Sequence, residues 1–163
     1  MSTMDNLKEA FAGESQANRK YLGFAMKADE EGYPQVAKLF RAAADAETVH
    51  ALNHLKVMKG IGDTEQNLVQ AIEGETAEFM SMYPGMIEEA KGEGEKEALQ
   101  SFTWANAVEK IHAGLYEKAK ENLGKNPDVV YYVCQRCGNT VENEAPETCP
   151  ICGAPKTMFK KID

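Results

Sequence analysis

Apolar side chains recur every three or four positions through most of the first 127 residues, the spacing expected for one face of an α-helix. The pattern predicts four long helices, over about 3–31, 34–59, 64–91 and 95–123. Glycine and proline mark the junctions, because glycine readily ends a helix and proline suits a first helical turn. Pro84-Gly85 should kink the third helix, since proline removes a hydrogen bond from a helix interior. We therefore expect a four-helix bundle.

The apolar stripes of these helices also carry acids and histidines, at positions that should face the core. On the second helix, Glu47 and His50 continue a stripe that begins at Val36. On the fourth helix, Glu109 and His112 lie on such a stripe in the same way. Seven candidate metal ligands share this placement: Glu14, Glu47, His50, Glu75, Glu78, Glu109 and His112.

A separation of three positions places two side chains on one face of a helix, directed toward one point. The candidates repeat this spacing in Glu47/His50, Glu75/Glu78 and Glu109/His112. One such match often arises by chance on a solvated face, but buried carboxylates are costly unless a cation compensates their charge. Five carboxylates on inner faces therefore predict a pair of metal ions, and an oxygen-rich ligand set favours iron or manganese over zinc.

Composition limits the remaining possibilities. The chain has 163 residues, of which 43% are apolar, enough for one ordinary core and a small satellite. The net charge of −8 disfavours a nucleic-acid partner or an anionic membrane surface. The sequence has no apolar run of about 18 residues and no basic, apolar start typical of a signal peptide. We expect a cytoplasmic protein.

From Asp128 onward the composition changes, and residues 129–133 read as a strand. Two Cys-x-x-Cys pairs follow, formed by Cys134, Cys137, Cys149 and Cys152. In a reducing compartment such pairs indicate a metal site, because two tight turns can direct four thiolates at one ion. A zinc ribbon uses the same ligands as an iron centre, so the residues alone leave the metal open.

Six short segments carry most of this chemistry: Gly13-Glu14-Ser15, Ala46-Glu47-Thr48-Val49-His50, Gly74-Glu75-Thr76-Ala77-Glu78, Met82-Tyr83-Pro84, Glu109-Lys110-Ile111-His112 and Cys149-Pro150-Ile151-Cys152-Gly153. Through them the chain resembles the rubrerythrin family over essentially its whole length. The resemblance implies a mainly α-helical protein with a ferritin-like di-iron four-helix bundle at 1–127. A small rubredoxin-like domain with β-strands and a four-cysteine metal site would follow at 128–163.

The resemblance also implies a role for each candidate ligand. Glu47 and Glu109 would bridge two iron ions, with Glu14 on one iron and Glu75 and His112 on the other. Glu78 and His50 would be alternative ligands and the catalytic pair. Tyr21 and Tyr83 match tyrosines that support ligand carboxylates, and the four cysteines would hold one more iron, or zinc.

As a function, the resemblance implies a peroxidase of oxidative stress defence that reduces hydrogen peroxide to water. Electrons would come from an NADH-linked reductase or a rubredoxin and pass through the four-cysteine iron. One alternative is an iron-binding or ferroxidase protein without dedicated electron input. Another is an adaptor in which a zinc ribbon contacts a partner and the bundle is a scaffold.

The short connection between the second and third helices bears on assembly. In the ferritin-like arrangement these helices are parallel, and meeting at one metal site would place their joined ends about 34 Å apart. The five residue steps from 59 to 64 span at most about 17 Å. Either the two helices run antiparallel, or the first two helices of one chain pack with the last two of another. The resemblance favours the second case, a domain-swapped homodimer.

Overall fold

The computed structural model of the chain describes residues 2–162. These residues form two compact units, one ending at Gly62 and the other beginning at Asp63. Most of the chain is helical, and a small sheet lies near its C-terminus, as the sequence predicts. None of the helices in the described part is both long and apolar enough to cross a membrane.

The first unit is a hairpin of two helices, α1 (Thr3–Glu30) and α2 (Pro34–Val57). Ser2 caps α1 in a reciprocal pair of hydrogen bonds with Asp5, which satisfies backbone donors that the first turn leaves free. The two helices pack through small buried side chains, which let their backbones approach closely: Ala25, Ala28, Ala37, Ala44 and Ala51.

The second unit begins with α3 (Thr64–Ala77), continues through α4 (Tyr83–Glu93) and reaches the long helix α5 (Lys96–Glu121). Asp63 and Gln66 form the capping pair that their spacing predicts. Gly94 ends α4 with a φ of 77°, a left-handed conformation that glycine adopts without strain. Both α3 and α4 pack against α5.

The helix is locally distorted just before Pro84, in the form of a widened helical turn. Residues Glu78–Met82 form a π-helical segment, and the N–H of Tyr83 bonds to the carbonyl of Glu78, five residues back. Proline has no N–H, and its ring crowds the carbonyl four residues before it. A wider turn before Pro84 relieves that crowding, and the kink expected at this point stays a prediction. Such segments occur frequently at functional sites.

The C-terminal part of the second unit is a three-stranded antiparallel sheet in the order β2-β1-β3. Its strands are β1 (Tyr131–Cys134), β2 (Thr140–Glu142) and β3 (Phe159–Ile162), so the first strand begins two residues later than predicted. A 3₁₀ turn at Lys156–Met158 precedes β3. The buried core of this sheet region contains two of the four cysteines: Cys134, Ala145, Cys149, Ala154 and Phe159.

This small sheet region docks against α5 through contacts spread along the helix. Arg136 lies over the ring of Trp104, with the guanidinium carbon 5.3 Å from the ring centroid. Two to four turns further along, His112 contacts Thr140, and Lys118 pairs with Glu142. The region that carries the cysteines is therefore held beside the helix that carries two predicted metal ligands.

Candidate metal centres

The first unit brings together three of the predicted ligands, Glu14 from α1 and Glu47 and His50 from α2. Their ligand atoms lie within 4.8 Å of one another, and we call them the first ligand group. His50 Nδ1 is 3.0 Å from Glu47 Oε2. A hydrogen bond with Glu47 raises the pKa of Glu14 and lowers that of Glu47.

The second unit brings together Glu75 from α3 and Glu109 and His112 from α5, again with ligand atoms within 4.8 Å. In this second ligand group, His112 Nδ1 is 2.9 Å from Glu109 Oε2 and 3.6 Å from Glu75 Oε1. Burial, together with the hydrogen bond and the negative charge of Glu109, raises the pKa of Glu75 to about 7. Two carboxylates held this close favour a bound cation.

The two groups have the same composition, two carboxylates and one imidazole. This donor set fits iron or manganese, which accept oxygen ligands together with histidine. A metal pair in a helical bundle ordinarily draws on ligands from four helices, whereas each group here draws on two. The residues of each group therefore fit half of a dinuclear site.

The remaining predicted site residues lie outside these groups. Glu78 opens the π-helical segment one turn after Glu75 and is half-buried. Burial raises the pKa of Tyr83, and the charges of Glu109, Glu78 and Glu75 raise it further, so Tyr83 lies beside the second ligand group. Tyr21 packs with aromatic rings, its centroid 6.3 Å from those of both Phe24 and Phe40. The ligand and support roles of Glu78, Tyr21 and Tyr83 stay predictions.

A threonine from the small sheet region reaches the second ligand group. Thr140 Oγ1 is 2.9 Å from His112 Nε2 and donates a hydrogen bond to the Gly138 carbonyl at 3.1 Å. A carbonyl oxygen only accepts, so the Thr140 oxygen is left to accept from a protonated Nε2. That tautomer leaves the Nδ1 lone pair directed at the carboxylates, as a metal ligand requires. The sequence offered no signal for this contact, because Thr140 lies 28 residues beyond His112.

The Thr140→Val variant is expected to bind the metal of the second ligand group roughly 10-fold to 100-fold more weakly, because the histidine loses the acceptor that orients it. Thr140→Ser keeps the hydroxyl and should bind nearly as tightly as the parent chain. Competitive titration of the metal-free protein with a divalent metal and a chelator measures the affinity. Thr103→Val is the matched control, since the Thr103 hydroxyl bonds only to Leu99 O in its own helix. Parent-like affinity in Thr140→Val would show that the contact is incidental.

The four cysteines converge in the second unit as predicted. The sulfur atoms of Cys134 and Cys152 are 3.7 Å apart, and those of Cys137 and Cys149 are 3.6 Å apart. A tetrahedron with metal–sulfur bonds of about 2.3 Å has edges of about 3.8 Å, whereas a disulfide bond is about 2.05 Å long. The cysteines are free thiols at the spacing that a tetrahedral metal site needs.

Two tight turns create this arrangement, one in each Cys-x-x-Cys-Gly segment. Gly138 and Gly153 have φ values of 85° and 72°, and their N–H groups bond back to the carbonyls of Cys134 and Cys149. Burial alone would raise the pKa of Cys149, but backbone N–H groups of Cys152 and Ile151 act against it and lower that pKa to about 7. The turns thus stabilise a thiolate, the form that binds metal.

Two parts of the chain match models of known protein families. The family model described as rubrerythrin matches residues 5–120, and a model of the rubrerythrin rubredoxin-like domain matches residues 132–160. The chain is 38% identical to rubrerythrin-2 of Clostridium acetobutylicum, over 97% of the chain and 95% of that protein. It is 37% identical to nigerythrin of Nitratidesulfovibrio vulgaris, over 97% of the chain and 85% of that protein.

Solved structures agree with these relatives. A structure of nigerythrin in a partially reduced state superposes with a TM-score of 0.61 at 35% identity, covering 99% of this chain and 87% of that one. A fully reduced, all-ferrous nigerythrin gives a TM-score of 0.60 at the same identity. The ferritin-like fold class with a small C-terminal cysteine region is confirmed.

Proposed function

Since this chain belongs to the rubrerythrin family, we propose that it is a di-iron peroxidase that reduces hydrogen peroxide to water. Electrons would enter from an NADH-linked reductase or a rubredoxin through an iron at the four cysteines. The observation that carries this proposal is the position of the cysteine region, which lies on α5 with Thr140 in contact with His112. An adaptor or a simple iron store gives no reason for a thiolate centre beside a carboxylate ligand group.

A bound pair of ferrous ions would supply the two electrons that cleavage of a peroxide O–O bond consumes. The protein's residues hold that pair and supply protons. Glu78 and His50 would be alternative ligands, and a protonated Glu78 would donate a proton to the departing oxygen. Glu78 lies in the π-helical segment, whose looser backbone repeat suits a side chain that changes partners.

A cavity of about 410 Å³ in the second unit would give a small substrate access to the second ligand group. Glu75 and His112 lie in its lining, and most of the rest is apolar, including Leu68 and Leu115. A small uncharged molecule such as hydrogen peroxide can enter an apolar opening of this kind without a dedicated charged receptor.

A visible spectrum tests the proposed function. The iron-loaded chain should show a ferric-thiolate spectrum that bleaches with NADH and a reductase and returns on addition of hydrogen peroxide. A colourless zinc-thiolate centre would contradict the proposal and favour the adaptor. Iron oxidation that proceeds without any redox change at the four cysteines would favour the ferroxidase.

The Glu78→Ala variant should retain much of its iron yet lose roughly a hundredfold or more in peroxide turnover, the usual contribution of a positioned general acid. Iron content and steady-state peroxide consumption measure the two effects separately. Glu73→Ala is the matched control, because Glu73 is an exposed residue of α3. Parent-like turnover in Glu78→Ala would remove Glu78 from the mechanism.

We further propose that two chains exchange their helix pairs, so that the first ligand group of one meets the second group of its partner. Each group has only three donors, and a dinuclear site needs both. Residues 1–127, proposed as the bundle domain, would then form a complete bundle only in a homodimer. Residues 128–163 are proposed as the electron-transfer domain. Its free, metal-spaced thiols suit a cytoplasmic location.

The length of the connection after α2 supports the exchange. If Glu47 and Glu75 of one chain met on parallel helices, the end of α2 and the start of α3 would be about 31 Å apart. The seven steps from Val57 to Thr64 reach about 25 Å only when fully extended. The N–H of Gly60 bonds back to the carbonyl of Leu55, which shortens the free connection further. A partner chain removes this constraint.

A further inference from the structure

Asn139 is the one polar residue that is fully buried among residues 2–162, with 1% of its surface exposed. It follows the first cysteine turn, between β1 and β2. Burial of a polar side chain is unfavourable unless its groups find partners. The sequence motifs assign it no role, because it is neither a cysteine nor a turn glycine. Its position therefore calls for a physical reason.

Asn139 contacts three of the four cysteines. Its side-chain Nδ2 lies 3.7 Å from Cys149 Sγ and donates to that sulfur. Its carbonyl accepts from the Cys134 N–H at 2.9 Å. Burial raises the pKa of Cys137, and the backbone N–H of Asn139, directed at the Cys137 sulfur, opposes that rise. One residue thus donates toward sulfurs of both turns.

The side-chain oxygen of Asn139 indicates which of its two polar groups favours asparagine at this position. Asn139 Oδ1 is buried and has no hydrogen-bond partner within the described part of the chain. An apolar side chain of similar size would fill this space without leaving an oxygen unpaired. Only the N–H directed at Cys149 distinguishes asparagine from such a residue. Asparagine is therefore favoured here because its side-chain N–H donates a hydrogen bond to Cys149 Sγ.

We propose that Asn139 is a positioning residue that raises the reduction potential of the four-cysteine iron centre by donating its side-chain N–H to Cys149. The inference rests on the proposed function in one respect, that iron occupies this centre. Four thiolates with ferric iron carry a net charge of −1, and one electron from the donor makes the ferrous form more negative. A donor to sulfur stabilises the more negative state more strongly.

The position of Asn139 in the chain relates the raised reduction potential to electron transfer between the two metal centres. Thr140, the next residue, contacts His112 of the second ligand group. The segment that holds the cysteine sulfurs therefore also touches the carboxylate site. A raised potential makes the centre an easier acceptor for electrons from a reductase, at the expense of some driving force for onward transfer. Asn139 sets the balance between these two steps.

Redox titration of the full-length, iron-loaded chain tests the proposal, with the ferric-thiolate absorbance as the signal. Asn139→Leu removes the donor, and its equilibrium constant for reduction should fall about tenfold, which is a midpoint 59 mV lower for one electron. Asn139→Asp keeps the shape but loses the donor and should lower the midpoint at least as much. Asn143→Asp, at an exposed position of the same region, is the charge-matched control. Midpoints equal to that of the parent in both Asn139 variants would overturn the proposal.

A second measurement detects the hydrogen bond itself. With cadmium-113 at the four cysteines of the full-length chain, the Asn139 amide proton should show scalar coupling to the metal through Cys149. Absence of that coupling in the folded protein would overturn the proposal. Neither experiment uses peroxide, so a chain that fails as a peroxidase can still confirm the role of Asn139. Conversely, unchanged midpoints leave the peroxidase proposal intact.

Discussion

The Cys149→Ser variant is expected to lose donor-driven peroxide turnover completely while its helices stay folded. Cys149 is buried in the sheet region and offers one of four thiolates to the metal site. Serine is a poor substitute because its hydroxyl does not ionise near neutral pH, so the electron entry site should be lost. Steady-state turnover with NADH and a reductase, together with helical circular dichroism, measures the two properties.

Single-turnover chemistry should survive this change. When the metal pair of Cys149→Ser is reduced chemically beforehand, the protein should still consume one equivalent of hydrogen peroxide, because the carboxylate groups are unaltered. Thr148→Ser, which alters the exposed neighbouring residue, should behave like the parent in both assays. Normal donor-driven turnover in Cys149→Ser would exclude the cysteine centre from the electron pathway.

Co-expression of Glu14→Ala chains with Glu109→Ala chains should restore activity that neither variant has alone. Glu14 lies in the first unit and Glu109 in the second. In an exchanged heterodimer one site receives both lesions and the other receives none, so each heterodimer should have about half of the parent activity. Purification with two different affinity tags isolates the heterodimer before the assay.

A control pair distinguishes exchange from general rescue. Glu14→Ala and Glu47→Ala both lie in the first unit, so every site of their heterodimer carries one lesion and should stay inactive. A dimer without exchange predicts inactivity for the Glu14/Glu109 pair as well. An isolated Glu14/Glu109 heterodimer as inactive as its parents would therefore rule out exchange of the helix pairs.

Several elements could be predicted from the sequence because their causes are local. The reciprocal caps at Ser2 and Asp63 involve residues three positions apart, so a short window contains all the information. The spacing of Glu47/His50 and Glu109/His112 likewise follows from helical geometry alone, and the structure holds each pair within hydrogen-bonding distance. Both cysteine turns were also predictable, since each Cys-x-x-Cys-Gly segment forms its own turn.

The π-helical segment shows a limit of such reasoning even at short range. Proline at position 84 indicates that the helix must change, and a kink is the usual response. The structure shows a π-helical turn at this point, between α3 and α4, and both of these helices pack against α5. The sequence therefore predicted a disturbance of the helix at Pro84, but not the π-helical turn that precedes it.

The sequence by itself determined the helical regions and the residue types of both candidate metal centres, because periodicity and spacing are properties of a short stretch of chain. Its motifs also indicated the family and the fold class. Only the tertiary structure decided that six of the seven predicted bundle ligands divide into two groups of three. It also placed Thr140 on His112 and Asn139 on Cys149, across 28 and 10 residues. These contacts join segments with no shared period. They form because the sheet region docks on α5 and because the two cysteine turns pack around the buried amide of Asn139. Neither packing arrangement can be predicted from the residue spacing within a short segment.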